Sequence, residues 1–374
     1  MHFLKSLKID WILFFATIPL LFAGVVTMSA FGGKDAFAER QLMWIAISIT
    51  VFFVLSFVDF RFLRRTSVVV SLFLAGCFLL FALFLIGNVA KGAKSWFSLG
   101  GAAFQPADPM KLALILVLTK YFSRRHIEIA NIRHIIISGI YAFIPFALVA
   151  IQPDFGSAIM YFLIWFGMVF VSGISKKHIF AVFAIGLVSF GCLWNFVFHE
   201  YQKERIMTFV HPLANIQGAG YNAFQATIAI GSGELFGRGV GFGTQSRLNF
   251  LPEYQTDFIF AAFAEEWGFA GIVLVFLFFG IVIWRILRAA LLAETNFESL
   301  FALGLAIFFV VHFCINIGMN IGLLPVTGTP LPFMSYGGSH LLTEFTGLGI
   351  LMGMRRYFRA AHRDDLRHEF LGVE

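Results

Sequence analysis

Four stretches of this chain each set an ionisable group where an apolar run begins. "FQPADPMKLALIL" carries Asp108, with Gln105 ahead of it and Lys111 behind. "IQPDFGSAIMY" carries Asp154, "YQTDFIFAAFAEE" carries Asp257, and "MSYGGSHLLTEF" carries His340 and, one turn later, Glu344. Bringing a carboxylate into hydrocarbon costs roughly 2.5–3.5 kcal/mol on insertion scales, so the set points to a site that uses charge. Helix capping is the competing explanation. Asp is a favoured N-cap, Pro a favoured first helical residue, and an acid suits the positive end of the helix dipole. Capping accounts for Asp108, next to Pro109, and for Asp154 as well as a site does. It accounts less well for Asp257, because Thr256 already offers a capping hydroxyl. Gln105, Lys111, Lys203, Arg205, Arg238 and Arg247 could hold an anion there, aided by backbone N–H groups at helix starts.

The elements that must position these residues follow from composition. Hydrophobic residues make up 59% of the 374 and charged residues only 13%, about half the charge of a soluble domain. Long apolar runs mark an all-α, polytopic integral membrane protein. Ten spans are expected, near 11–30, 43–60, 67–88, 109–122, 135–152, 156–173, 178–198, 257–284, 299–322 and 340–354. The fourth and tenth are short and should extend by a turn at either end. The first is too long in its apolar core for a signal peptide and lacks a cleavage site, so it reads as a retained helix. The chain reads as one membrane domain, 1–374, whose largest extramembrane piece is an outer loop at 199–256 between spans seven and eight.

With the N-terminus inside, 18 of the 27 Lys and Arg residues fall on inner segments, from Lys5 and Lys8 to Arg363 and Arg367. The positive-inside rule therefore puts both termini in the cytoplasm. Every even-numbered span then enters from outside, and the four starts above share that outer face. The net charge of +6 is a topology signal plus affinity for anionic lipid, and nucleic acid is not implied. Cys77, Cys192 and Cys314 each lie in an apolar run and suggest neither a disulfide framework nor a metal site. "GRGVGFGTQ" lacks the Lys-Ser/Thr of a phosphate loop and reads as a flexible or close-approach loop. Glu265 and Glu266, about 12–14 Å down span eight at 1.5 Å per residue, are expected to face protein or a polar cavity.

Five blocks in order carry a family resemblance: "AKGAKSWFSLGGAAFQPADPMKLALIL", "IQPDFGSA", "GAGYNAFQATIAIGSG", "FLPEYQTDFIFAAFAEEWG" and "LLPVTGTPLPFMSYGGS". The chain resembles the SEDS family (shape, elongation, division, sporulation), and its wording leans to the elongation, RodA-type branch. It departs from the family at Ala107-Asp108-Pro109, where Ser-Glu is usual, at His340, where a small residue is usual, and at Glu234, where glycine is common.

The resemblance implies a glycosyltransferase of the bacterial inner membrane that polymerises lipid II into glycan strands, with inversion, for cell elongation and rod shape. It implies partnership with a class B penicillin-binding protein, a transpeptidase, within the elongation machinery. By positional match Asp257 takes the catalytic place, and Asp108, Lys111, Asp154, Arg205 and Gly337 fall in matching blocks as site or scaffold residues. A lipid-linked sugar diphosphate is a pre-activated donor, which suits a compartment without nucleotide sugars. Asp257 is then the candidate general base for the 4-hydroxyl of the acceptor N-acetylglucosamine, or alternatively a ligand for Mg²⁺ or Mn²⁺. Lys111, Arg205, Arg247 or that divalent cation would steady the leaving diphosphate. No organic cofactor is expected. A flippase or transporter of lipid-linked precursor is the alternative, though its acids would sit at the midplane rather than gather at one rim. A non-catalytic scaffold that recruits cell-wall enzymes is a third class.

Overall fold

The computed structural model describes residues 9–30, 36–90, 93–99, 102–124, 132–173, 200–211, 220–248 and 250–370, with scattered positions between 178 and 195. Long apolar runs close their own backbone hydrogen bonds as helices, and about 20 residues give the 30 Å that a bilayer core requires. In chain order the first are α1 (Trp11–Ala30), α2 (Ala36–Ser56), a 3₁₀ turn at Phe60–Arg64 and α3 (Thr66–Ile86). A small antiparallel sheet follows, β1 (Asn88–Ala90), β2 (Ala93–Leu99) and β3 (Ala102–Phe104), pairing Asn88 with Trp96 and Phe97 with Phe104. Then come α4 (Ala107–Ser123), α5 (Ile132–Ile151), α6 (Phe155–Val171), α7 (Glu200–Val210), α8 (Tyr221–Ser232) and the short α9 (Thr244–Arg247). The last three are α10 (Ile259–Leu291), α11 (Asn296–Asn320) and α12 (Gly338–Phe370).

Among the described residues, nine of the ten expected spans coincide with a helix. The seventh, 178–198, is described only at scattered positions. By length and composition α1, α2, α3, α5, α10 and α11 can cross a membrane, and α6 is a shorter apolar helix. The sheet at 88–104 occupies the stretch between the third and fourth expected spans. α2 packs along α12, α1 along α10, and α4 and α6 both meet α11. Close approach of α2 to α12 depends on a Gly-x-x-x-Gly pair. A Cβ on Gly353 would stand 2.8 Å from the Leu55 carbonyl oxygen, and one on Gly349 3.1 Å from that of Phe52.

Span eight is not one continuous helix. Gly268 breaks α10 with φ 64° and ψ −165°, and the segment after α8 fills the gap. In an unbroken helix the Phe269 and Ala270 N–H groups would donate to the Glu265 and Glu266 carbonyls. Instead Phe269 donates to Glu234 O (2.9 Å) and Ala270 to Leu235 O (2.9 Å), while Arg238 and Gly239 donate to Glu265 O (2.9 Å) and Glu266 O (3.0 Å). Two helical bonds are thereby exchanged for four to the inserted segment, which keeps the backbone satisfied where little water reaches. The carboxylates help. Glu265 Oε1 accepts from the Gln245 N–H at 3.0 Å and Glu266 Oε1 from the Gly241 N–H at 2.6 Å. The glycine-rich run is therefore a docked segment, and Glu265 and Glu266 are its anchors. Glu234 turns through φ 47°, a backbone that glycine adopts without strain.

At one end of the bundle Asp10, just before α1, ties three elements together. It accepts from Arg285 Nε (3.0 Å) on α10 and Arg355 Nη1 (2.7 Å) on α12, and from the Leu13 N–H (3.2 Å). Burial works to raise its carboxyl pKa, but the two guanidinium bonds and the Leu13 N–H together hold it below the ordinary 3.8. A depressed folded value means that the stabilisation is present above 3.8 and drains away as pH falls through the lower value. Asp10→Ala should strand two arginines and cost about 3–5 kcal/mol. Its melting temperature should sit well below wild type at neutral pH and converge with it in strong acid.

Candidate active site

The starts of α4, α6, α10 and α12 meet around a single cavity of about 210 Å³. From the α4 start it takes Gln105, Asp108 and Lys111, and from the α6 start Asp154 and Ser157. Thr256 and Asp257 come from the α10 start, and Tyr336, Gly337 and His340 from the α12 start. Ser95 and Trp96 of β2 and the stretch Pro325–Pro330 complete the wall. Four separated stretches of sequence thus place their leading ends on one hollow.

Asp257 is half-buried and stands two residues ahead of Ile259, where α10 begins. The N-cap position of that helix is Phe258, two residues beyond Thr256, which corrects the capping expectation for Thr256. The Thr256 hydroxyl turns back to Glu253 Oε2 (3.1 Å). α11 supplies the cap instead, since Asn320 Oδ1 accepts from the Ala261 N–H at 3.2 Å. Asn316 and Asn320 also donate to the Asp257 carbonyl at 3.0 and 3.1 Å. Ser335 Oγ donates to Thr256 O at 2.6 Å, and the Tyr336 N–H to Gln255 O at 2.8 Å. The backbone beneath the acid is thus fastened on both sides, and every one of these bonds uses main-chain atoms of residues 255–257 or 261.

Asp154 is the N-cap of α6. It accepts from the Ser157 N–H at 3.0 Å and from Gln105 Nε2 at 2.9 Å, joining two helix starts. Asp108 is not a cap. α4 begins at Ala107, so Asp108 and Pro109 lie inside its first turn. The Asp108 carboxylate is buried and receives Lys111 Nζ at 2.9 Å, itself 2% exposed. The shorter acid suffices because its partner lies one turn further along the same helix. A buried ion pair survives only when its charges are matched, and this one presents both to the cavity.

Of the residues expected at the site, Gln105, Asp108, Lys111, Asp154 and Asp257 line the cavity together. Arg247, exposed on α9, is not among its lining residues. Arg205 falls on α7, but its side chain lies outside the described residues; Ile206 beside it does line the cavity. Sequence reasoning overlooked His312, Asn316 and Asn320. They recur every fourth residue as one polar stripe down α11, and such a stripe in an apolar span was a readable signal. Among the described residues no group of three His, Cys, Asp or Glu side chains is placed to hold a metal ion.

The sequence matches the FtsW/RodA/SpoVE cell-cycle protein family over residues 6–360. The chain belongs to this family. Among its FtsW/RodA/SpoVE relatives, the peptidoglycan glycosyltransferase MrdB of Escherichia coli K12 is 36% identical over 338 residues, 90% of each chain. Stage V sporulation protein E of Bacillus subtilis is 35% identical, over 95% of this chain and 99% of that one. Two solved structures share the fold at 28% identity and 93% coverage of this chain. One, from work on polymerisation and crosslinking by a peptidoglycan synthase complex, superposes with a TM-score of 0.80 over 98% of its length. The other, the rod shape determining protein RodA of Thermus thermophilus, does so with 0.70 over 97%. This FtsW/RodA/SpoVE member is a polytopic bacterial membrane protein.

Proposed function

We infer that this chain is a peptidoglycan glycosyltransferase that polymerises lipid II on the outer face of the inner membrane, as part of cell elongation. The observation that carries the reading is the convergence of four helix starts, Asp257 among them, on one cavity in a chain of this family. In the reaction the acceptor 4-hydroxyl oxygen bonds to C1 of the donor sugar as the C1–diphosphate bond breaks. The hydroxyl proton passes to Asp257. A positioned base supplies about 10²–10⁴ in rate. Its backbone is held from α11 and from the strand of chain before α12, so little reorganisation remains at the moment of reaction. Lys111 faces the leaving diphosphate, and Gln105 with Asp154 fixes the neighbouring wall. A Mg²⁺ ion here would take most of its ligands from the diphosphate and water, and none of these steps depends on it.

Two-sided topology completes the reading, with both termini in the cytoplasm and the cavity outside. A class B penicillin-binding protein is the partner that would cross-link the strand produced. Purified protein in detergent should convert lipid II into polymer, with release of lipid diphosphate. Movement of lipid II across vesicles without polymer would favour the transporter instead. A cysteine placed near Asp257 should be labelled by impermeant reagent from the outer side, and labelling only from the cytosol would defeat the proposal.

A further inference from the structure

Behind the cavity wall lies a buried group of five ionisable side chains. Asp108 and Lys111 come from α4, His312 from α11, and His340 and Glu344 from α12, none more than 5% exposed. Their contacts fix the protons. His312 Nδ1 lies 2.8 Å from the Phe308 carbonyl, which only accepts, so that nitrogen carries the hydrogen. Its Nε2 then offers a lone pair to Lys111 Nζ at 3.2 Å, and the ring is neutral. His340 differs. Its Nδ1 is 3.3 Å from Asp108 Oδ1 and its Nε2 3.0 Å from Glu344 Oε1. Nδ1 hydrogen-bonds the Asp108 carboxylate, while Nε2 pairs with Glu344 by proximity without an aligned hydrogen bond, and a carboxylate on either side suits the imidazolium. Lys111 and His340 then balance Asp108 and Glu344, and the group is neutral as a whole, as burial demands.

The balance is uneven in space. Lys111, Asp108 and His340 line the cavity, whereas Glu344 and His312 do not. One oxygen, Asp108 Oδ1, serves both Lys111 and His340. Among the described residues, the further carboxylates that share the cavity with His340 are Asp154 and Asp257. Tyr161 of α6 donates its hydroxyl to Ala107 O, and α2 presents Trp44 to Gly338.

We propose that His340, braced by Glu344, is a positioning residue that sets how much of the Lys111 charge reaches an anionic lipid diphosphate in the cavity. With His340 charged, Asp108 is shared between two cations and the trio Lys111, Asp108 and His340 carries one net positive charge, set beside the Asp154 and Asp257 carboxylates on the same cavity. With His340 neutral, Asp108 turns wholly to Lys111, and the buried group carries one net negative charge. Affinity for the donor therefore falls as His340 loses its proton. The proposal rests on the glycosyltransferase reading above.

The test compares wild type, His340→Ser and His340→Gln in lipid II polymerisation, with KM and kcat resolved from about pH 6 to about pH 10, above the ordinary histidine value. Melting curves are taken alongside. Wild-type KM should rise about tenfold across an alkaline limb while kcat changes far less, since one charge at a few ångströms is worth at least that much. Both variants should keep a cooperative melt, start with the raised KM and lack that limb. His340→Gln keeps most of the volume and hydrogen bonding, while Lys111 is present in all three proteins, so a limb belonging to Lys111 would persist throughout. A limb retained in both variants, or a flat wild-type KM, overturns the proposal. So does loss of the cooperative melt in both, which would make His340 structural. Failure of the wild type to polymerise at all would instead sink the functional reading.

Discussion

Asp257→Asn should yield a folded protein whose lipid II polymerisation has dropped by a factor of about 10²–10⁴, or roughly 3–5 kcal/mol of barrier. The fold should survive because α11 grips residue 257 through its carbonyl, with Asn316 and Asn320 both donating to that oxygen. An asparagine presents the same carbonyl and nearly the same volume. What it lacks is the ability to take the acceptor's proton. A gel assay of polymer length, paired with a melting curve in the same detergent, separates lost chemistry from lost structure. Substantial residual polymer would remove Asp257 from the base role. Rescue of the variant by excess Mn²⁺ would move it to the ligand role.

Gly237→Val should cost several kcal/mol of stability although it lies outside the cavity. Gly237 sits at φ +79°, and a Cβ there would stand 2.0 Å from the Glu266 carbonyl oxygen. The left-handed backbone alone costs roughly 1–2 kcal/mol for an L side chain. The clash adds more, because the obstacle is main chain that the break at Gly268 holds in place. Expelling the segment would leave the Glu265 and Glu266 carbonyls without their donors, a further loss of about 1–3 kcal/mol for each unsatisfied group. Gly239→Ala is the control. It shares the left-handed backbone, at φ +93°, but its nearest neighbour would be the edge of Phe242 at 3.5 Å. Its cost should stay near the roughly 1–2 kcal/mol of the left-handed backbone alone. Thermal melts that ranked the two variants equal would mean that the segment does not fill the break in α10.

Much of this arrangement was legible because the bilayer imposes simple rules. Apolar runs of bilayer length gave the helices, and the acid-bearing starts gave the cavity, since helices entering from one side must bring their leading ends to one face. The roles of individual acids were less legible. Asp154 and Asp108 look alike in sequence, each beside a proline, yet one caps a helix and the other is buried against Lys111. The difference lies in where the preceding chain arrives, which no local pattern encodes. The break at Gly268 was hidden for a related reason. An apolar run in which Gly268 is one of three glycines, with Gly271 and Gly280, reads as one helix, and only the distant segment 233–239 supplies the bonds that let it open. The sheet at 88–104 escaped because it is built from short strands between two spans, where hydropathy says little.

The Asp10 carboxylate meets its two arginines 275 and 345 residues further along the chain. A ribosome adding about 5–20 residues per second needs roughly twenty seconds to more than a minute to make that much polypeptide. For all of that time the first helix can be inserted but not fastened, with its leading carboxylate held by water or headgroups. The end of the bundle away from the cavity therefore closes last, when the final span arrives. Translation that halts before Arg285 leaves the opening helix with neither arginine, and a halt between Arg285 and Arg355 leaves it with one.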